Sequence, residues 1–403
     1  MSCLNPAPGL RAYAGRVRVL ICPDKFAGTV PAVDAAAAVA DGWLSVAPGD
    51  EVTRRPLADG GPGFLDALGT AVGGRRVTVA TTDPLGRPVD GSVLLAGGAV
   101  RGTGGGTGTA YLESAETCGL HLLAGPERDP RATTSYGLGV LLAAAVEGGA
   151  RRVVVGLGGS AVNDAGAGML AALGAAPLDG AGYALPYGGA ALVAVAALAG
   201  PPRLRRVALV AATDVDNPLL GPHGASAVFG PQKGATPADV VLLDAALARF
   251  AAVLERDLLG CPPSLGALPG GGAAGGLGAA LLALGGRCES GIGLVRRLTG
   301  LDRALAAADL VVTGEGSFDG QSLRGKVVAG VAAAARQRGV PCLVVAGRVG
   351  VDPDAAAAAG VTGTCSLVEH FGSEEEALRR PVEGLRDLGA CLARRWSRPG
   401  GAG

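Results

Sequence analysis

Short β-rich runs alternate with helical segments along this chain, and that alternation predicts an α/β protein with largely parallel sheets. Two further observations agree. The chain has 403 residues, enough for two domains, and 49% of it is hydrophobic against 17% charged, which suits a large buried core. Its 70 glycines follow no period and are not segregated from apolar residues. Many sit just after predicted strands, where turns and ligand loops need positive φ or close backbone approach.

Runs near 17–22, 52–56, 77–80, 107–112, 153–157, 207–212, 309–313 and 341–346 read as strands. Helices are expected near 31–45, 63–73, 136–148, 238–258, 324–338 and 373–395. Within 238–258 the apolar residues Leu243, Leu247, Phe250 and Leu254 recur at helical spacing. The segment 259–276, "GCPPSLGALPGGGAAGGL", reads as an irregular connection. The first sixteen residues and the closing "RPGGAG" are expected to fray.

Composition narrows the function. The 35 basic and 35 acidic residues give a net charge of +0, so neither nucleic acid nor an acidic membrane is an expected partner. The N-terminal apolar run, Val19 to Cys22, is too short for a secretory signal core. The uncharged stretches Gly180 to Pro202 and Leu258 to Gly286 are broken by Gly and Pro, so no membrane helix is expected. Eight cysteines (3, 22, 118, 261, 288, 342, 365, 391) include no C-x-x-C and no close pair, as expected for reduced thiols in a cytoplasmic protein. Three scattered histidines (121, 223, 370) argue against a zinc site. The absence of G-x-S-x-G argues against a hydrolase of that type.

Ligands of parallel α/β sheets bind beyond the carboxyl ends of strands. Six predicted strands here run into polar or glycine-rich loops: "PDKFAG" (23–28), "PLADGG" (56–61), "GLGGSAVND" (156–164), "TDVDN" (213–217), "GEGSFDGQS" (314–322) and "AGRVG" (346–350). Together they point to one or two converging sites. Lysine usage sharpens this. Only three of the 35 basic residues are Lys (25, 233 and 326), and all three lie in these or similar loops. A compact ammonium in place of a planar fork suits phosphate oxygens.

The stretch "GQSLRGKV" matches the first seven positions of a P-loop, Gly320 to Lys326. Val327 then offers no hydroxyl for magnesium, and the strand predicted at 309–313 ends well before Gly320. A lysine at a helix N-terminus still suits a phosphate. Carboxylates supply what the missing hydroxyl cannot. Glu315 and Asp319 are read as flanking a tight turn after the buried strand, and Asp214 and Asp216, two apart, would face one side of an extended backbone. Mg²⁺ commonly takes one or two carboxylates plus substrate phosphates. The alternative is turn-forming: Asp214 or Asp216 before Asn217-Pro218, and Asp319 before Gly320.

Gly156-x-Gly158-x-x-Ala161 satisfies a loose dinucleotide-binding pattern. The acidic residue that such a site needs about 20 positions on would be Asp179, and "GAAPLDG" is a poor strand. Ser160, Asn163 and Asp164 suit a substrate or a phosphate better than a pyrophosphate turn.

The series "PDKFAGT", "PLADGG", "DPLGRPV", "RDPRATTSYGLG", "GLGGSAVNDAGAGML", "TDVDNPLLGPHGASAVFGPQKGAT", "GGGAAGGLGAALLAL" and "DLVVTGEGSFDGQSLRGKVVAGVA" closely resembles the bacterial glycerate kinase, type 1 family, from about residue 17 to 370. Three positions depart from the family pattern: Ala27, where a second lysine is frequent, Pro62, where an acidic residue is frequent, and His223, where Asn is common. No charge-dependent role carries over to Ala27 or Pro62.

The resemblance implies ATP- and magnesium-dependent phosphorylation of D-glycerate, expected on the 2-hydroxyl. Phosphorylation of the 3-hydroxyl is the alternative on the same scaffold; a Rossmann-type NAD oxidoreductase and a non-catalytic ligand-binding or regulatory protein built on the kinase scaffold are the other two classes. It further implies two α/β domains with one inserted in the other and the active site in the cleft between them. Residues 17–80 plus 288–395 would form an outer, Rossmann-like domain and 81–287 the insert. Glu315, Asp319 and Asp216 are the expected metal carboxylates, and Lys326, Lys25 and Lys233 the expected phosphate charges. Gly158, Gly159, Ser160 and Asn163 would approach a phosphate or glycerate, and Arg87 would suit the glycerate carboxylate unless it is structural. One carboxylate among Asp59, Asp164 and Asp214 would take the hydroxyl proton. A monomer or homodimer is expected.

Overall fold

The structure is a computed structural model, and it describes residues 5–6, 13–26, 28–97, 108–204, 207–320, 322–323 and 327–398. The chain forms two compact units. One comprises the residues up to Ala58, Asp66–Ala71 and the residues from Ile292 onward; the other comprises Asp59–Leu65 and Val72–Gly291.

The first unit is organised by a sheet with the order Asn5–Pro6, Gly363–Ser366, Cys342–Val349, Leu310–Phe318, Arg18–Ile21, Glu51–Arg54. Every neighbouring pair is parallel except Asn5–Pro6 with Gly363–Ser366. The central strands are continuous apolar runs because parallel strands are covered on both faces. Val311, Val312, Leu343 and Val344 are accordingly buried.

Two of these strands run further than their composition predicts. The 309–313 strand continues to Phe318 and the 341–346 strand to Val349, paired in register as far as Phe318 with Val349. Glycine explains both the misreading and the pairing. A side chain at Gly314 would collide with the Val345 carbonyl, and one at Gly347 with the Gly316 carbonyl. Glu315 therefore lies inside the strand, opposite Ala346, and does not flank a turn; the turn starts at Asp319. Only Asp319 then separates the strand from Gly320, so its distance from the P-loop-like stretch is no argument against that motif. Val327 remains one.

The helices Ala32–Val46 and Pro381–Trp396 pack on each other at glycines. Gly42 meets the Arg386 carbonyl and Gly389 the Val39 carbonyl, with no room for a Cβ at either. The single helix expected at 373–395 is two, Glu374–Arg379 and Pro381–Trp396, because Pro381 has no N–H to continue the first. Asp50 joins helix to sheet: it accepts from the Val17 N–H at 2.9 Å and from the Trp43 indole N–H at 2.8 Å.

The second unit holds the sheet Arg287–Glu289, Ala208–Ala212, Arg152–Gly156, Thr109–Glu113, Pro88–Ala96, Arg75–Thr82. The first four strands are parallel; Pro88–Ala96 runs antiparallel to both its neighbours. Arg75–Thr82 pairs along its whole length with Pro88–Ala96, so this strand, placed in the outer domain on sequence, belongs to the second sheet. One core cluster joins Val153 and Val155 of the sheet to Leu138, Leu141 and Leu142 of the helix Tyr136–Glu147. It also takes in Leu277 and Leu281 of Ala273–Ala283. The helix Pro237–Asp257 starts at a Thr236–Asp239 capping box, and Leu243, Leu247, Phe250 and Leu254, the residues that predict it, are all buried.

The glycine-rich region 259–276 is more than a connection. Gly275 and Gly276 take left-handed φ values of 71° and 92° and lie against Val162 and Ala165, closer than a side chain would permit. Ala165 donates its N–H to the Gly275 carbonyl at 3.0 Å. Glycine here is a seat for the loop that follows the strand Arg152–Gly156.

Both tryptophans, Trp43 and Trp396, lie in the first unit, so their fluorescence reports on it. Asp50→Ala leaves the Trp43 and Val17 donors unpaired in the core. It should destabilise this unit by about 2–4 kcal/mol, read as a lowered midpoint in fluorescence-monitored urea unfolding. An unchanged midpoint would refute the tether.

Candidate functional site

Four backbone segments of the second unit meet at the carboxyl ends of its parallel strands. The strand Arg152–Gly156 leads into Leu157, whose N–H donates to the Ala212 carbonyl at 2.9 Å. An added Cβ at Gly60 would come within 2.6 Å of that same carbonyl oxygen. At Gly156 it would lie 2.6 Å from the Gly60 oxygen, at Gly158 2.7 Å from the Gly61 Cα, and at Gly159 2.9 Å from Pro62. Such separations admit no side chain, so glycine is the condition for the loops to stack.

Asp59 and Asp214 are held at this junction. A side chain on Gly291 would collide with the Asp59 carbonyl and come 3.3 Å from Asp214 Oδ2. Asp59 Oδ1 accepts from the Gly61 N–H at 3.1 Å, which fixes the turn. Asp214 Oδ1 accepts from the Ser290 hydroxyl at 2.6 Å. Glu113, buried at the end of its own strand, accepts from the Gly63 and Leu65 N–H groups at 3.0 and 3.3 Å and so anchors the helix start beyond Pro62. Asp216 is exposed, whereas Asp214 is half-buried, and the strand has already ended at Ala212. The extended pair facing one side does not form.

Beneath the 156–164 loop lies a sealed polar layer. Asp164 is 0% exposed. Its Oδ2 accepts from the Ser135 N–H at 2.9 Å, the Ser135 hydroxyl at 2.8 Å and the Gly168 N–H at 3.1 Å, while Oδ1 accepts from Gly166 N–H at 3.1 Å. Burial raises the carboxyl pKa, and these hydrogen bonds oppose the rise. Asn163 donates to the Ser226 hydroxyl at 2.9 Å. Lys233 is 2% exposed; its Nζ donates to the Val162 carbonyl at 2.6 Å and to Ser160 Oγ at 3.2 Å. Desolvation lowers the ammonium pKa to about 7 against the opposing pull of Asp164 and Cys118. Lys233 therefore faces the loop and not a phosphate in solvent, and Asp164 holds loop backbone.

Arg87 is committed elsewhere: Nε donates to Asp83 at 2.6 Å, Nη1 to Glu127 at 2.7 Å and Nη2 to the Leu122 carbonyl at 3.2 Å. Its guanidinium closes the Asp83–Arg87 turn, the structural alternative weighed on sequence. The dinucleotide pattern fails as well. Asp179 follows the two-residue strand Pro177–Leu178, which pairs with Ala197–Leu198 and bridges Ala184 through Leu178, and is not a member of the main sheet.

In the first unit the "PDKF" loop runs beside the strand Leu310–Phe318, with the Asp24 N–H donating to the Gly314 carbonyl at 2.8 Å. Asp24 is buried, and Lys25 Nζ lies 3.8 Å from its Oδ1. Glu315 is 9% exposed within the strand. Asp319 caps the turn that follows: its N–H donates to Ser322 Oγ at 3.1 Å, and its carbonyl accepts from the Ser322 N–H at 3.0 Å. Lys326 and Ala27 lie outside the described residues. Among the described residues no three His, Cys, Asp or Glu side chains form a metal-ligand cluster. A magnesium ion carried by one or two carboxylates and substrate phosphates requires none. No helix among the described residues is long and apolar enough to cross a membrane.

Sequence reasoning missed Ser290 and Gly291, because their strand, Arg287–Glu289, is three residues long and charged at both ends. It also missed Glu113, Ser135 and Ser226, whose partners are distant in sequence.

The glycerate kinase family model matches residues 19–397. A glycerate kinase of Bacillus subtilis is 40% identical over 384 residues, covering 93% of this chain and 98% of that protein. A glycerate 2-kinase of Escherichia coli is 37% identical over 387 residues, covering 94% and 98%. A crystal structure described as that of a candidate glycerate kinase 2 from Salmonella typhimurium superposes with a TM-score of 0.75 at 38% identity, covering 94% of this chain and 98% of that one. The chain thus belongs to the glycerate kinase family and is a kinase.

Proposed function

We propose that the chain transfers the γ-phosphoryl group of ATP, as its magnesium complex, to the 2-hydroxyl of D-glycerate. The observation that carries the reading is the pair of carboxylates, Asp59 and Asp214, fixed beside glycine backbone at the ends of parallel strands. Its support is the family membership and the 37% identity to a protein named glycerate 2-kinase.

Phosphoryl transfer asks a protein mainly for positioning and charge neutralisation. Asp214 is the residue we assign to the glycerate hydroxyl: it orients the O–H and takes its proton as the bond to phosphorus forms, with Ser290 fixing the carboxylate plane. Asp59 completes the carboxylate pair. Asp164 is not assigned that task, because four donors already fill its oxygens. Gly158, Gly159 and Ser160 turn backbone N–H groups toward substrate oxygens. Glu315 and Asp319 are assigned to the magnesium of the nucleotide, and Lys25 to phosphate charge. Magnesium, when bound, would neutralise phosphate charge, and because Val327 has no hydroxyl to coordinate the ion, carboxylates would have to hold it.

A coupled ADP-release assay with D-glycerate, followed by phosphorus NMR of the product, tests the reading directly. A phosphate on the 3-hydroxyl would overturn the regiochemistry and leave the kinase assignment standing.

Asp214→Asn should lower kcat by about 10²–10⁴-fold with little change in KM for glycerate. Glu315→Gln and Asp319→Asn should instead raise the magnesium concentration needed for half-maximal rate. A magnesium titration of the three variants at saturating glycerate separates the roles. Rescue of Asp214→Asn by magnesium would reverse them.

Gly291→Ala pushes against Asp59 and Asp214 without removing any functional group. Displacing reacting groups by about 1 Å costs on the order of 10²-fold in rate, so kcat should fall that far. Wild-type turnover in this variant would show that the junction is not where chemistry occurs.

A further inference from the structure

Lys233 ends a 3-10 turn, Pro231–Lys233, and Gly234 follows it at φ 100° where an added Cβ would collide with the Arg128 carbonyl. The lysine backbone is thereby pinned, and the side chain runs inward to the loop after the strand Arg152–Gly156. That loop is clamped on its other side by backbone. Ser160 bridges Gly119, the Leu120 N–H donates to the Gly159 carbonyl at 2.8 Å, and the Ala161 N–H donates to the Cys118 carbonyl at 2.6 Å.

An ammonium has donors and no acceptor. Ser160 Oγ must therefore accept from Lys233, and its own hydrogen finds no acceptor among the described residues. We propose that Lys233 is a positioning residue: its sealed ammonium fixes Ser160 as an acceptor on one side, so that the Ser160 hydroxyl donates its hydrogen to an anionic oxygen of the bound substrate. This rests on the reading of the 158–160 segment as the substrate loop.

The placement also explains why this position carries one of only three lysines among 35 basic residues. A closed site reaching one carbonyl and one hydroxyl fits a compact ammonium, not a planar fork. The charged and titratable groups facing Lys233 are Asp164, on the loop, and Cys118, on the helix Ala115–Cys118; Cys118 stays a neutral thiol because burial pushes it up to about 12. Desolvation brings the ammonium down to about 7. Above that pH the amine is neutral and acquires a lone pair. The Ser160 O–H then turns to the amine, and the substrate loses its donor. The sign is fixed: the positioned hydroxyl is present below the lysine pKa and lost as pH rises through it.

The experiment uses wild type, Lys233→Met, Ser160→Ala and the double variant, with ADP release from D-glycerate followed from about pH 6 to about pH 9. At the acid end each single variant should lose about tenfold or more in kcat, and the double variant no more than the worse single. The basic limb of the wild-type profile should vanish in Ser160→Ala. Circular dichroism melts check folding, and should Lys233→Met fail to fold, Ser160→Ala alone carries the pH readout. Additive losses, or a basic limb unchanged in Ser160→Ala, overturn the inference and leave the kinase reading intact. A wild type without glycerate-dependent turnover overturns both.

Discussion

Everything at the candidate site depends on backbone touching backbone where side chains would ordinarily stand. Gly60, Gly156, Gly158 and Gly291 each occupy a place that a single methyl group would force open. Parallel strands deliver their loops to the same edge, but side-chain bulk normally keeps such loops apart. Removing the Cβ at these points lets Asp59 and Asp214 share a junction. At half-buried Gly158 and exposed Gly159 no side chain shields the backbone amide, which suits the stabilisation of spread negative charge better than a crowd of flexible side chains.

The polar layer beneath this junction follows the opposite logic. Asp164, Asn163, Ser135, Ser226 and Lys233 are buried and cross-linked, and the strained Ala165 at φ 47° sits next to them. Burial of that much polarity is tolerable only because most donors and acceptors are matched. Such a layer holds a loop to one shape, and the residues that face a ligand can then be few and small.

How much of this was legible in the sequence differs by kind of feature. Apolar β-branched runs announced the central strands, and the spacing of Leu243, Leu247, Phe250 and Leu254 announced a helix whose four residues prove to be its buried stripe. Glycine was ambiguous. It marked the loop at 156–160 correctly, yet it disguised the second half of the strand Leu310–Phe318 as a loop, because tight pairing and turning both select a missing side chain. Charges were the least legible. Arg87 and Asp164 looked free for a ligand; each has near partners, Asp83 for the first and Gly166 and Gly168 for the second, but Glu127 and Ser135, which complete their commitment, lie 40 and 29 residues away and carry no local pattern. Ser290 was invisible for the same reason: its meaning comes from Asp214, 76 positions earlier.

The sheet of the first unit joins distant parts of the chain. Arg18–Ile21 lies between Glu51–Arg54 and Leu310–Phe318, and Arg18 binds Asp309 across 291 positions. During synthesis the early strands thus emerge long before their central partner exists. At about 5–20 residues per second, they wait roughly 15–60 s for it. The second unit's sheet, made from residues 75–289, is complete before then. Vectorial synthesis therefore gives this molecule an order of assembly. The inner portion of the chain can fold off the ribosome first, while the apolar run at Val19 to Cys22, with Glu51–Arg54 on one side, stays open on the other until Leu310–Phe318 emerges.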